Sequence, residues 1–289
     1  MNGFDIASYH PAMQPKSAYL HLTKAERSGF LYRIMSLDRL FQMFAERANY
    51  LVCPIMWEDP FENFIAHLQG KLPTGEVVEL AQRFDFFGQC WTLRGGTDAM
   101  WRIYSPDKRS ARIKVRLPDL FTALSTYAIG VPFIGKVKYL RLKPWAQRLV
   151  RSTSKPSLEL LAKTFLVKRP AFSHENEVRL LYYSDRDSDS GRVYRHPFDC
   201  HRLIAEITLD PRLDKIQAKK LGEEIRVRTR YEGRIVQSNL YAPPKQFFVR
   251  LGASYAALVR TKARVSYERD LRRTISRPDG ISQLVLPPL

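Results

Sequence analysis

The stretch FLYRIMSL, residues 30–37, sets one arginine among apolar neighbours. Leu31, Tyr32, Ile34, Met35 and Leu37 read as buried, and Tyr32 with its neighbours suggests a strand. Arg33 does not fit such a run unless something pairs with it, because a buried guanidinium is costly without a carboxylate or phosphate to fork onto. Two kinds of partner stay open. One is a carboxylate of the chain itself, such as Glu62 or Asp59; the other is a bound anion. Ser36 then caps a helix whose Leu37, Leu40, Phe41 and Phe44 share one face.

The pattern continues outward as mixed strands and helices. YLVCPI (50–55), FFGQCWT (86–92), RIKVRL (112–117), GKVKYL (135–140), EVRLLYYS (177–184), LIAEITL (203–209) and RIVQSNLY (234–241) read as strands. Residues 75–84, 98–105, 118–130, 157–169 and a segment within 211–224 read as helices, with Thr97 as a cap, Pro118 near a start and Pro170 as a stop. WEDPFE (57–62) is turn-like, and SDRDSDSGR (184–192) is a polar loop. This order indicates the α+β class. Residues 1–28 read as a loosely attached arm, 29–242 as the main domain, and 243–289 as a basic extension.

Charge is the unusual feature: 47 Lys and Arg against 29 Asp and Glu, a net +18 over 289 residues. Such a balance attracts polyanions, of which nucleic acid is the commonest inside cells. Two stretches concentrate it. KRSARIKVR (108–116) offers Lys108, Arg109 and Arg112. The tail from Lys245 to Arg277 has nine basic residues against two acidic ones, Arg260, Lys262 and Arg264 among them, interleaved with Phe247, Phe248, Tyr255 and Tyr267. Cations among aromatics suit a phosphate backbone and unstacked bases; an amphipathic helix with solvated charges is the plainer alternative. Three distant cysteines imply no disulfide framework, and neither a signal peptide nor a membrane-length apolar run is visible, so the expectation is a cytoplasmic protein without a membrane partner.

The acidic pair at strand spacing is Glu175 and Glu177 in FSHENEVRL. Residues i and i+2 of a strand share a face, which would align both carboxylates with Arg179. Two acids in one cleft can divide labour, one ionised beside developing positive charge and the other orienting a nucleophile. The plainer alternative is a surface strand whose glutamate pairs with Arg179. Thr92 ends a middle strand with a hydroxyl that could bond a catalytic carboxylate, although most strand-end threonines are merely structural. Trp101 and Tyr104, at i and i+3 of a helix, share a face, which is usually a core face and could also wall a flat ring. His196, Cys200 and His201 could bind zinc, but no Cys-x-x-Cys occurs and a fourth ligand would have to come from far away, so no metal is expected. Neither a Gly-x-Gly-x-x-Gly nor a Gly-Lys-Ser/Thr motif occurs.

The order Tyr-Arg on an early strand, a hydroxyl on a middle strand and Glu-x-Glu at a late strand resembles the Arg–Ser–Glu class of ADP-ribosyltransferases. LYRIMSLDRL, WEDPFEN, FFGQCWT, DAMWRIYS and HENEVRLLY also resemble a bacterial family of unknown function, over roughly residues 30–210. The middle motif departs from the toxins' Ser-Thr-Ser, being Cys90-Trp91-Thr92, and Glu58 stands where Asn is expected. The resemblance implies a split β-sheet core with flanking helices and NAD, as substrate, in a cleft. It implies that Tyr32, Arg33, Thr92, Trp101 and Tyr104 contact NAD, with Arg33 on the phosphates and ribose. Glu177 would bind the nicotinamide ribose and stabilise an oxocarbenium-like transition state, and Glu175 would orient the acceptor. Joined to the charge, these expectations describe a transferase that marks nucleic acid, RNA before DNA. It would act as a toxin or phage-defence effector, held in check by an acidic neutralising protein. A binding module in which Arg33 and Glu177 merely pair, and an NAD glycohydrolase, are the competing readings.

Overall fold

The computed structural model describes residues 17–57, 59, 62, 69–71, 74–79, 86–128, 130–141, 157–184, 192–242 and 260. The chain divides into two compact units, 1–241 and 242–289. The first unit opens with β1 (Tyr19–Leu20), α1 (Lys24–Arg27), β2 (Phe30–Ser36), α2 (Leu37–Glu46) and β3 (Ala48–Val52). A short hairpin, β4 (Gln69–Lys71) and β5 (Val77–Glu79), precedes β6 (Phe86–Thr92), α3 (Asp98–Tyr104), β7 (Ser110–Arg116), α4 (Leu117–Tyr127) and β8 (Val131–Lys136). Then come β9 (Lys138–Tyr139), α5 (Leu158–Thr164), β10 (Val167–Lys168), β11 (Glu177–Tyr183), β12 (Val193–Pro197), α6 (Cys200–Leu203), β13 (Ile204–Leu209), α7 (Lys215–Thr229) and β14 (Arg234–Gln237).

Local chemistry sets the boundaries. Ser36 and Thr97 accept from the backbone N–H of Arg39 and Met100 and so cap α2 and α3. Arg47, in the left-handed region with φ 48°, turns the chain out of α2 and into β3. The central sheet runs β1-β8-β11-β6-β2-β7-β13-β14, with β3 and β12 attached beside β6. One side of its core gathers Leu31, Leu40, Phe44, Ile113, Leu120 and Ile225. A second cluster gathers Phe86, Phe133, Leu158, Phe165 and Leu181. The α+β class is therefore the observed one.

The sheet is split, and the split positions the site. β6 pairs along its whole length with β11, and β2 along its whole length with β7. Between β6 and β2 the only register pair is Tyr32 with Thr92. β3 touches β6 at one further place, Val52 opposite Gly88. A wedge thus opens past Tyr32, and Arg33 is the first residue beyond the joint. On the other side of β6, Glu177 is the register partner of Thr92. Two residues 144 positions apart are brought to one joint by strand pairing alone.

Several expectations are corrected. The arm expected over 1–28 joins the fold by Tyr19: β1 pairs with β8, and Leu20 and Leu22 are core residues. Residues 77–79, expected as helix, are a strand hairpinned onto β4 across a turn where Gly75 has φ 88°. The helix expected over 157–169 ends at Thr164, and Val167–Lys168 pairs with β9. β12, unassigned from sequence, pairs with β3. The basic extension 243–289 lies outside the described residues apart from Arg260. No helix of the described residues is long and apolar enough to cross a membrane.

His196 on β12 is buried, with Asn49 Nδ2 at 3.2 Å from its Nε2 and the Pro197 carbonyl at 3.0 Å from its Nδ1. Burial pushes the imidazole down to about 4, only partly offset by the Pro197 and Ala123 carbonyls. The unfolded chain therefore binds the extra proton first. Stability contributed by the neutral ring is complete above the unfolded value of 6.5 and is lost as pH falls toward 4. We expect His196→Gln to flatten the stability loss between pH 6.5 and 4 in denaturant titrations, by up to about 3 kcal/mol. An unchanged slope would contradict this.

Candidate active site

A cavity of about 190 Å³ lies at the joint, and Tyr32, Arg33, Thr92, Tyr104, Glu175 and Glu177 all line it. Cys90, Trp91 and Lys168 complete much of its wall. Six of the residues expected from sequence to act together are thus brought to one place.

Glu177 opens β11 and is buried. Its carboxylate is forked by Arg179, Nε to Oε1 at 2.8 Å and Nη2 to Oε2 at 3.1 Å. Arg179 is wholly buried and also donates to Glu62 at 2.8 Å and to the Phe165 carbonyl at 2.7 Å. Its guanidinium lies 4.2 Å from the ring centroid of Trp57, which can rest there because residue 88 is glycine: a Cβ would come within 2.6 Å of the Trp57 ring. Burial alone would raise Glu177, but the charge and fork of Arg179, followed by Lys168, outweigh it and hold the carboxyl at about 2. Glu177 is therefore ionised at any working pH, with one face in the cavity.

Glu175 reaches the same place by another route. It ends a 3-10 helix, Pro170–Glu175, and Asn176 turns the chain through the left-handed region with φ 43° before β11 begins. The expected shared strand face is thus corrected: Glu175 precedes the strand, and the turn sets its direction. Asparagine tolerates that conformation better than most residues, which was the available signal. Lys168 Nζ binds Glu175 at 2.7 Å, Glu62 at 2.9 Å and Glu177 at 3.5 Å. Burial would lower this ammonium, but Glu177 and Glu62 hold it above the ordinary lysine value. Tyr104 O–H donates to the other Glu175 oxygen at 3.2 Å.

Thr92 does not bond a carboxylate. Its hydroxyl donates to the Glu175 backbone carbonyl at 2.6 Å and accepts from the Arg94 N–H at 3.0 Å. It pins the Glu175 turn to β6. Thr92→Val orphans that buried carbonyl, and we expect a loss of about 1–3 kcal/mol in urea unfolding; a change within experimental error would show that the bond does not hold the turn.

Arg33 stands apart from the other buried cations. It is half-buried, and among the described residues it makes no ion pair or hydrogen bond. The carboxylates available from sequence are taken: Glu62 by Arg179 and Lys168, Asp59 by Arg169 at 3.2 Å. Glu177 is likewise held by Arg179, which removes the arrangement in which Arg33 and Glu177 simply pair. The surface-strand alternative holds in its pairing of Arg179 with Glu177 and fails in its exposure, since both residues are buried.

Other expected residues lie elsewhere. Trp101 is fully buried in the core, its Nε1 without a hydrogen-bond partner among the described residues, so it walls no ligand. The i, i+3 pairing of Trp101 and Tyr104 holds on the helix, but only Tyr104 reaches the cavity. Arg112 is buried, donating to Thr208 at 2.8 Å and stacking over the Tyr32 ring at 5.1 Å, with Glu206 at 3.7 Å. It backs Tyr32, which lines the cavity, and is buried rather than open to a phosphate, contrary to its expected nucleic-acid role. Lys108 and Arg109 are exposed and line a separate surface depression with Lys220. Arg260 is exposed in the second unit, while Lys262 and Arg264 lie outside the described residues. Among the described residues no group of three His, Cys, Asp or Glu is set to hold a metal.

No protein-family model and no curated protein matches this chain. Three solved structures of the DarT protein of Thermus sp. 2.9 are similar over most of its length. The complex with carba-NAD+ is 14% identical with a TM-score of 0.32, covering 73% of this chain and 96% of that one. The complex with NAD+ is 11% identical with a TM-score of 0.34, again covering 73% and 96%. The complex with ADP-ribosylated ssDNA is 12% identical with a TM-score of 0.35, covering 76% and 96%.

Proposed function

We propose that the protein is an NAD-dependent ADP-ribosyltransferase whose acceptor is nucleic acid. The observation that carries the reading is the pairing of opposites in one cavity: an ionised, immobilised Glu177 and an Arg33 without an ion-pair partner among the described residues, on either side of the sheet joint. Breaking the nicotinamide–ribose bond sends the bond's electron pair to nicotinamide and builds positive charge on the ribose. A preorganised carboxylate in a water-poor cleft stabilises that charge, a contribution of several kcal/mol. Tyr32 and Tyr104 supply aromatic wall for the nicotinamide. Arg33 supplies the cation that the diphosphate needs.

The net +18 supports a polyanionic acceptor. Charge serves RNA and DNA equally. A chain that consumes NAD and marks nucleic acid harms its cell, which fits a toxin or phage-defence effector with an acidic neutralising partner. A glycohydrolase is the second reading, and one observation favours it. Both Glu175 oxygens are already engaged, by Lys168 and Tyr104, which weakens Glu175 as the group that activates an acceptor.

Incubation with adenylate-labelled NAD and single-stranded RNA, DNA or protein separates these readings. Label on nucleic acid is the expected result. Free ADP-ribose without transfer makes the protein a glycohydrolase, and label on protein alone overturns the acceptor class.

A further inference from the structure

A second cavity, of about 340 Å³, opens on the far side of Arg33, which lines both. Its remaining wall includes Arg39, Gln42, Met35, Met56 and Val193. Among the described residues no aspartate or glutamate lines it. Arg39, exposed on the first turn of α2, donates to Gln42 Oε1 at 3.0 Å and makes no ion pair among the described residues. Withdrawal from water lowers Arg33 below the ordinary guanidinium value; nearby Cys90 opposes this, and the like charge of Arg39 adds a smaller push downward. Two guanidiniums on the wall of one cavity, with no carboxylate of the described residues lining it, offer a dianion a pair of cations.

The floor is rigid. Gln89 donates to Asn49 at 2.6 Å and to the Tyr50 carbonyl at 2.9 Å, while Asn49 and Trp91 donate back to Gln89 at 3.0 and 2.7 Å. This buried network fastens β3 to β6 and keeps the wedge beyond the joint open. Met56 and Val193 are exposed apolar side chains at its rim, 47% and 43% accessible. A flat base would cover them.

We propose that Arg33 and Arg39 form a two-arginine clamp for the diphosphate of a nucleoside diphosphate, with the nucleoside seated in this second cavity. The inference deepens the NAD reading and rests on it for the direction of the ligand. Along the wedge the charge changes sign, from the carboxylates of Glu175 and Glu177 to Arg33 and Arg39. NAD has the matching polarity, a cationic nicotinamide followed by a diphosphate dianion. The first cavity alone falls below the roughly 300–1,000 Å³ of small-molecule pockets, so a dinucleotide needs the second lobe.

Calorimetric titration of the full chain with ADP tests the clamp without requiring turnover. Arg39→Met should weaken ADP at least tenfold with an unchanged melting temperature. Lys215→Met, which removes one exposed charge from α7, should change it less than twofold. Absence of ADP binding, equal losses in both variants, or a loss confined to a single-stranded oligonucleotide would each overturn the clamp. Arg39-dependent ADP binding in a protein that never releases nicotinamide would uphold the clamp and sink the transferase reading. Nicotinamide release with an unchanged KM for NAD in Arg39→Met would do the reverse.

Discussion

Glu177→Gln should lower nicotinamide release from NAD by at least about 10²–10³-fold, the range seen when one preorganised electrostatic contact to a transition state is removed. Shape and most hydrogen bonding survive the change; the negative charge does not. Arg179 keeps Glu62 at 2.8 Å, so the variant should remain folded, with a melting curve recorded beside the rate. Nucleic-acid affinity, carried by surface cations, should stay near its starting value. Because the carboxyl is held at about 2, wild-type turnover should show no acid limb from Glu177 between pH 7 and 5. The same shift adds stability that is complete above 4.5 and lost as pH falls toward 2. Retained turnover in a folded Glu177→Gln protein would remove this residue from the mechanism.

Arg179→Leu should cause the largest loss of stability among single changes at the site. It leaves Glu62 and Glu177 buried, with Lys168 as their remaining cation among the described residues. Breaking a buried ion pair from one side costs about 3–5 kcal/mol. For a chain of this size that is on the order of 10 °C in melting temperature. Denaturant unfolding of the purified variant measures it directly. A loss below about 1 kcal/mol would mean that the network is solvated and that Glu177 is not held as described.

The sequence disclosed the members of the site more readily than their arrangement. Arg33 was conspicuous because charge inside an apolar strand demands a partner, and Ser36 and Thr97 marked helix starts through a local hydrogen bond. Strand register was not legible. Nothing local in FFGQCWT or LYRIMS says that they meet only at Tyr32 and Thr92, and that single meeting makes the cleft. Lys168 was missed because its segment continues the amphipathic pattern of α5; the helix stops at Thr164, and pairing with β9 turns the lysine toward three carboxylates. Glu62 was seen, but as a partner for Arg33. Its true partner, Arg179, lies 117 residues away, and only tertiary packing selects it. Helical spacing cannot tell which face meets the core, so it leaves Trp101 open between core residue and ligand wall; the structure puts it in the core.

The most direct measurement is nicotinamide release by the wild-type chain and by Arg33→Met at saturating nucleic acid. Arg33 makes no ion pair among the described residues, so this substitution should leave the fold intact while removing the proposed anchor. Release by the wild type, with a KM for NAD raised at least tenfold in an equally stable variant, is the predicted result. Equal kinetics in the two proteins, or no release by the wild type, would contradict the assignment of this cavity to NAD.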